Sequence, residues 1–182
     1  MRTGSVLRAG VHPATFYAMR RKGLIEPLAR GVYRLAGAPT LSDPDLALVA
    51  TKAPRAVVCL ISALHFHDLT TQIPHEVCVA IGRGEWAPRL SHLPIRVFRF
   101  TGDALTEGVE THVVDGANVR VYSPEKTLAD CFKFRNRIGM DTVIEALRLY
   151  RERKRVRVDD LLRYASICRV ARVMRPYLEA AL

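Results

Sequence analysis

The 182-residue sequence predicts an α+β fold in which a small basic helix-and-hairpin module precedes a mixed α/β domain. Three observations point there. A short helical segment, Pro13 to Lys22, stops at Gly23 and is followed by β-type residues around Ala29-Arg30-Gly31. Alternating segments recur between Glu76 and Tyr122. From Ser123 onward the apolar spacing changes to that of helices.

The first elements are short. Thr3 is placed to cap a helix ending at Ala9-Gly10. Pro13 suits a first helical turn, where its missing N–H has no partner to lose. Phe16 and Met19, three apart, share the apolar face, with Val11 and Leu24 closing over its ends. Thr15, Tyr17, Arg20 and Arg21 fall off that face. Ile25 to Leu35 reads as a hairpin, and Gly37 to Pro44 as a linker. The boundary falls between a first domain, 1–39, and a second, 40–182.

The second domain opens with a helix over Pro44–Lys52 that buries Leu46, Val49 and Ala50. Another spans Ser62–Asp68, with Leu60, Ala63 and Leu64 on its inner side. Strands follow at Glu76–Ile81, Ile95–Phe100, Glu110–Val114 and Val119–Tyr122, the last two flanking a turn at Asp115-Gly116-Ala117-Asn118. Ser123 begins a helix as half a capping box, because position three is Lys126 and not an acid. Leu128, Cys131 and Phe132 form its buried stripe before Gly139. Helices over Met140–Tyr150, Val158–Tyr164 and Val170–Ala181 complete the chain.

Charge narrows the partners. The net charge is +10, and it is unevenly spread: residues 1–41 carry +6, 42–120 carry −2 and 121–182 carry +6. Basic ends around a near-neutral middle favour a local face for a polyanion over uniform solubilising charge. No apolar run is long enough to span a membrane, and the start lacks a secretory signal. Cys59, Cys78, Cys131 and Cys168 are far apart among apolar neighbours, so they read as reduced core residues of a cytoplasmic protein. No cofactor or metal is expected. His65 and His67 are two apart and do not share a helix face, and no third ligand is placed by spacing.

The order of helix, turn, helix and hairpin is that of a DNA reader. His12, Thr15, Tyr17, Arg20, Arg21 and Lys22 lie on or beside the second helix, and Arg30 at the hairpin tip. Arginine suits bidentate contact with guanine, whereas Lys22, at the helix end, suits a phosphate. The run Arg148 to Arg157 is the strongest charge block; it reads as a solvated face or as a further track for nucleic acid or an acidic protein. Glu125, Lys126 and Asp130 look like a catalytic set, but Glu125 and Asp130 are five apart and Lys126 is expected well round the helix from Asp130. A salt bridge is the simpler account. No paired carboxylates, nucleophile–base set or nucleotide loop stands out, so no enzyme is expected.

The stretches "RAGVHPATFYAMRRKGLIEPLARGVYRL", "VVCLISALHFHDLT", "HEVCVAI", "VRVYSPEKTLADCFKFRNRIG" and "YASICRVARVMRPYLEAAL" resemble, over nearly the whole chain, the AbiEi antitoxin family of bacterial type IV toxin–antitoxin systems. The sharpest pieces are Arg30-Gly31-Val32-Tyr33, Ser62-Ala63-Leu64 and the run Ser123 to Asp130. The resemblance implies a winged helix-turn-helix that binds double-stranded promoter DNA and represses its own operon. It further implies a carboxy-terminal domain that counteracts a nucleotidyltransferase-like toxin without a stable complex, and leaves room for self-association. By position, Thr15, Tyr17, Arg20 and Arg21 fall on the recognition helix and Arg30 on the wing, while Ser123, Glu125, Lys126 and Asp130 begin the helical part. One departure stands out. A family winged helix has another helix before the one over Thr3–Ala9, so that first helix is missing or the start lies upstream. A core lacking it is expected to expose the backs of Phe16 and Met19, at about 1.5–3 kcal/mol per large side chain. The alternative reading follows: an interaction or antitoxin module that no longer binds DNA.

Overall fold

A computed structural model describes residues 1–37, 42–88, 90 and 93–181, grouped in two compact units: Met1–Pro54 with Val113–Val119, and Arg55–His112 with Arg120–Leu182. The predicted 39/40 boundary and half of the linker fall at 38–41, outside the described residues.

In the first unit, α1 (Thr3–Arg8) and α2 (Pro13–Arg21) precede a hairpin of β1 (Ile25–Ala29) and β2 (Val32–Leu35). The strands are antiparallel, with a register shift between Pro27 and Ala29. Arg2 bridges Val32, and the Tyr33 N–H donates to the Met1 carbonyl at 2.9 Å, so residues before α1 lengthen the hairpin's ladder. Thr3 lies inside α1 and does not cap it. Its N–H donates to the Gly31 carbonyl at 3.1 Å, and Arg2 occupies the cap position. Phe16 is 1% exposed, not uncovered as expected. Val6, Val11, Met19, Ile25 and Tyr33 surround it, because the hairpin and α1 fold over the back of α2. Its ring meets Tyr33 edge-on at 5.0 Å. Leu24, expected to close this core, is exposed, and Ile25 is buried in its place; Gly23 at φ +67 turns the chain so that the next residue but one points inward.

The same unit holds α3 (Pro44–Lys52), capped by Asp43, whose Oδ1 accepts from the Leu46 N–H at 3.0 Å. Leu46, Ala47 and Val49 are buried, whereas the expected Ala50 is only half-buried. Asp115 in turn accepts from Ser42 N–H and hydroxyl and from Asp43 N–H, at 2.9–3.1 Å. These donors hold the Asp115 carboxyl below its ordinary range.

The second unit has β3 (Val57–Val58), α4 (Leu60–Phe66), β4 (Val77–Gly82), β5 (Ile95–Phe100) and α5 (Asp103–Thr106). Then come β6 (Val109–Val114) and β7 (Ala117–Tyr122), which cross between the units, and α6 (Pro124–Lys133), α7 (Arg135–Ile138), α8 (Met140–Arg151), α9 (Val158–Ile167) and α10 (Ala171–Ala181). The sheet order is β5-β4-β3-β7-β6, with β3 antiparallel to β4 and parallel to β7. The alternating segments and long helices form near their predicted places, except that the helix expected over Ser62–Asp68 runs from Leu60 to Phe66 and β7 already begins at Ala117, inside the expected turn. β3, α5 and α7 are additions, too short for a periodicity to reveal.

The unit is built around α6. Every residue from Pro124 to Phe132 is buried, with α4, α8, α9 and α10 packed against the helix. Ser123 caps it, accepting from the Lys126 N–H at 3.3 Å, and the Thr127 hydroxyl donates back to the Tyr122 carbonyl at 3.2 Å. Gly108 permits one close approach. At φ +72, a Cβ there would lie 2.7 Å from the Cβ of Lys126, so only glycine lets this turn pass over α6. Cys59, Cys78, Cys131 and Cys168 are free and buried, as the sequence implies.

Candidate nucleic-acid interface

Burying Phe16 fixes which side of α2 faces outward. Thr15, Tyr17, Arg20, Arg21 and Lys22 are all exposed, with Tyr17 at 53%. A shallow groove of about 560 Å³ is lined by Ala14, Tyr17, Arg20 and Arg21. The Arg20 guanidinium lies 6.0 Å from the centre of the Tyr33 ring, so an aromatic of the hairpin steers the head of this exposed side chain. His12 caps α2: its Nδ1 accepts from the Ala14 N–H at 3.3 Å, which ties one ring nitrogen to the backbone. Arg30 sits exposed at the hairpin tip beside Gly31, and its carbonyl accepts a hydrogen bond from the Lys52 ammonium. Further along the hairpin Arg34 pairs with Glu26 at 3.0 Å, which takes that cation out of the free set.

The fold thus leaves Thr15, Tyr17, Arg20 and Arg21 exposed on a nine-residue helix, with Lys22 exposed at its C-cap, and draws Tyr17, Arg20 and Arg21 to one groove. Two contributors escape sequence reasoning. Ala14 opens the groove floor by being small, and Lys52 braces the tip from 22 residues away; no local pattern in the sequence signals either.

The second group of predicted residues is built differently. Ser123, Glu125, Lys126 and Asp130 are 4%, 2%, 0% and 0% exposed, so none stands on a surface. The expectation that Lys126 and Asp130 lie on different sides of the helix is wrong. Four residues apart, they stack on one side, and Lys126 Nζ donates to Asp130 Oδ2 at 2.6 Å, an intrahelical salt bridge. The ammonium also sits 4.0 Å from the Tyr122 ring centre and 5.1 Å from that of Phe100. The Cys168 thiol donates to the other oxygen of Asp130 at 3.1 Å. Burial pushes the Asp130 carboxyl above its usual range, and the Lys126 charge pulls it back. Burial, then the nearby Asp130, pushes the Cys168 thiol up to about 12, so it is no thiolate nucleophile at neutral pH.

Glu125 faces the other way. It accepts from the Tyr150 hydroxyl at 2.7 Å and from both sides of the Arg157 guanidinium at 3.0 and 3.1 Å. Burial pushes the Tyr150 hydroxyl up to about 12, keeping it a donor. Arg157 ends the basic run that the sequence offers as a track, and Arg153 within it donates to the His67 carbonyl. Those two cations brace the fold. His67 itself is buried, with Nε2 2.8 Å from the Tyr122 carbonyl.

Residues 2–36, which span α1, α2 and the hairpin, match the family described as transcriptional regulator, AbiEi antitoxin. The match covers a small part of the chain, against a resemblance along nearly all of it, and it points to a general antitoxin or regulatory role. No curated protein matches the chain.

Proposed function

We propose that the chain is an antitoxin and autorepressor of a type IV toxin–antitoxin operon. The first unit reads promoter DNA, with α2 in the major groove and the hairpin tip against the backbone or minor groove. The second unit counteracts a nucleotidyltransferase-like toxin without enzymatic chemistry of its own and without a stable complex. The protein works in the cytoplasm, where its four buried thiols stay reduced.

One observation carries this reading: Thr15, Tyr17, Arg20, Arg21 and Lys22 all stand exposed on α2 and its C-cap while Phe16 is buried, inside the segment that matches the family of regulators. An outward basic helix beside an arginine-tipped hairpin is the arrangement such readers use. The test is a gel-shift titration of the full chain against the promoter of its own operon, beside a scrambled duplex. Tighter binding of the promoter is the expected result. Equal, weak binding of both duplexes removes the repressor role and leaves the interaction module. Co-expression with the neighbouring toxin reads the second half: protection is expected, and its absence overturns the antitoxin assignment.

A further inference from the structure

We propose that the second unit holds a binding cleft for a small ligand bearing several phosphates, separate from the DNA-reading face. A concavity of about 680 Å³ lies among the residues after β5, the α6–α7 junction and the α9–α10 junction. That size accommodates a nucleotide. Lys133, Arg135 and Arg169 line it, against Asp103 as the one lining carboxylate. Among the described residues none of the three cations forms an ion pair, whereas Arg34, Arg55, Arg96, Arg157 and Arg163 all do. Three cations without an ion-pair partner line one cleft, an arrangement that a polyanion bridges favourably.

Each cation is placed by the fold. Arg135 donates to the Phe132 carbonyl at 2.9 Å, which steadies its guanidinium. The Lys133 ammonium rests 5.6 Å from the Phe100 ring centre. Arg169 is the sharpest signal. It follows the last turn of α9, its N–H donates to the Ser166 carbonyl at 3.0 Å, and its φ is +59. That left-handed position normally holds glycine or asparagine. An arginine held in this conformation sets a long cation on the cleft lining. Ile167 and Val170 add an apolar wall, and Asp103 repels phosphate while accepting from sugar hydroxyls. The shared chemistry is a run of phosphates, carried either by a nucleoside triphosphate or by inorganic triphosphate.

Calorimetric titration of the full chain with GTP, ATP and inorganic triphosphate tests the site. Lys133→Gln and Arg169→Asn are the variants, the second chosen because asparagine tolerates the left-handed backbone; Arg175→Gln, exposed and outside the cleft, is the control. We expect saturable binding, weakened about tenfold by either cleft variant and changed less than about twofold by the control. Thermal midpoints of the variants confirm that they remain folded. Equal affinity for triphosphate and nucleotides assigns recognition to the phosphates alone; tighter nucleotide binding adds the apolar wall. Absence of saturable binding up to millimolar ligand overturns the proposal, as does equal weakening by the control. Binding of oligonucleotides only, weakened by the same two variants, also overturns it and makes the cleft part of a nucleic-acid track. None of these readouts depends on promoter binding, so the DNA-reading assignment and this one fail separately.

Discussion

At the scale of single residues, the buried pair on α6 has the largest energetic leverage. Lys126 and Asp130 are both 0% exposed, and each is the other's main counter-charge. Lys126→Met should cost about 3–5 kcal/mol by stranding the carboxyl, while adding Asp130→Leu should recover most of the loss. Urea midpoints of the single and double variants check this; a double variant as unstable as the sum of its parts would refute the pairing argument. His67 gives a pH signature. Burial lowers its pKa from 6.5, assisted by the nearby Arg153 and His112 charges and opposed by its bond to Tyr122 and by Glu110. The native imidazole therefore stays neutral where the unfolded one protonates. Stability is full above pH 6.5 and declines as pH falls below it, with a slope of at most about 1.4 kcal/mol per pH unit. His67→Gln, which retains a donor for the Tyr122 carbonyl, should flatten that decline between pH 7.5 and 5.5. An unchanged slope would place the acid sensitivity elsewhere.

At the scale of elements, the proposed function gives the cations of α2 separate roles. Arg20 projects beside the groove, whereas Lys22 caps the helix end before Gly23. Arg20→Ala should cost about 1–3 kcal/mol at the cognate operator and relax discrimination at one base position. Lys22→Ala should weaken cognate and random DNA alike and lower the salt slope by about 1. Titrations of both duplexes across a salt series distinguish them; equal losses for Arg20→Ala on the two duplexes would reduce it to an electrostatic anchor. This helix was legible in the sequence because its punctuation is local: Pro13 at the start, Gly23 past the end and Phe16 facing inward. The same holds for α8 and for the turn at Asp115-Gly116. Where pairing is remote, legibility fails. Val57 and Val58 form a strand only because Ala80, Val79 and Val121 lie beside them, and nothing in their own neighbourhood says so. The arginine at the end of α9 is equally opaque, since a lone arginine in sequence carries no hint of a left-handed backbone.

At the scale of the molecule, the core of the first unit is small. Phe16, Ile25 and Tyr33 are its buried centre, with Val6, Val11 and Met19 around them. Phe16→Ala should cost about 3–5 kcal/mol, enough to unfold so slight a cluster. We expect promoter binding to vanish while protection against the toxin persists, read by gel shift and co-expression; joint loss of both would show that the two activities share one folding unit. The placement of Val113–Val119 in the first unit has a consequence for how such proteins diversify. Asp115, far along the chain, clamps the residues that begin α3. A recombination crossover near residue 54 therefore parts Ser42 and Asp43 from the carboxylate that clamps them. Moving the amino-terminal unit intact requires moving the Asp115-Gly116 turn with it, so the two stretches of chain are inherited as a pair.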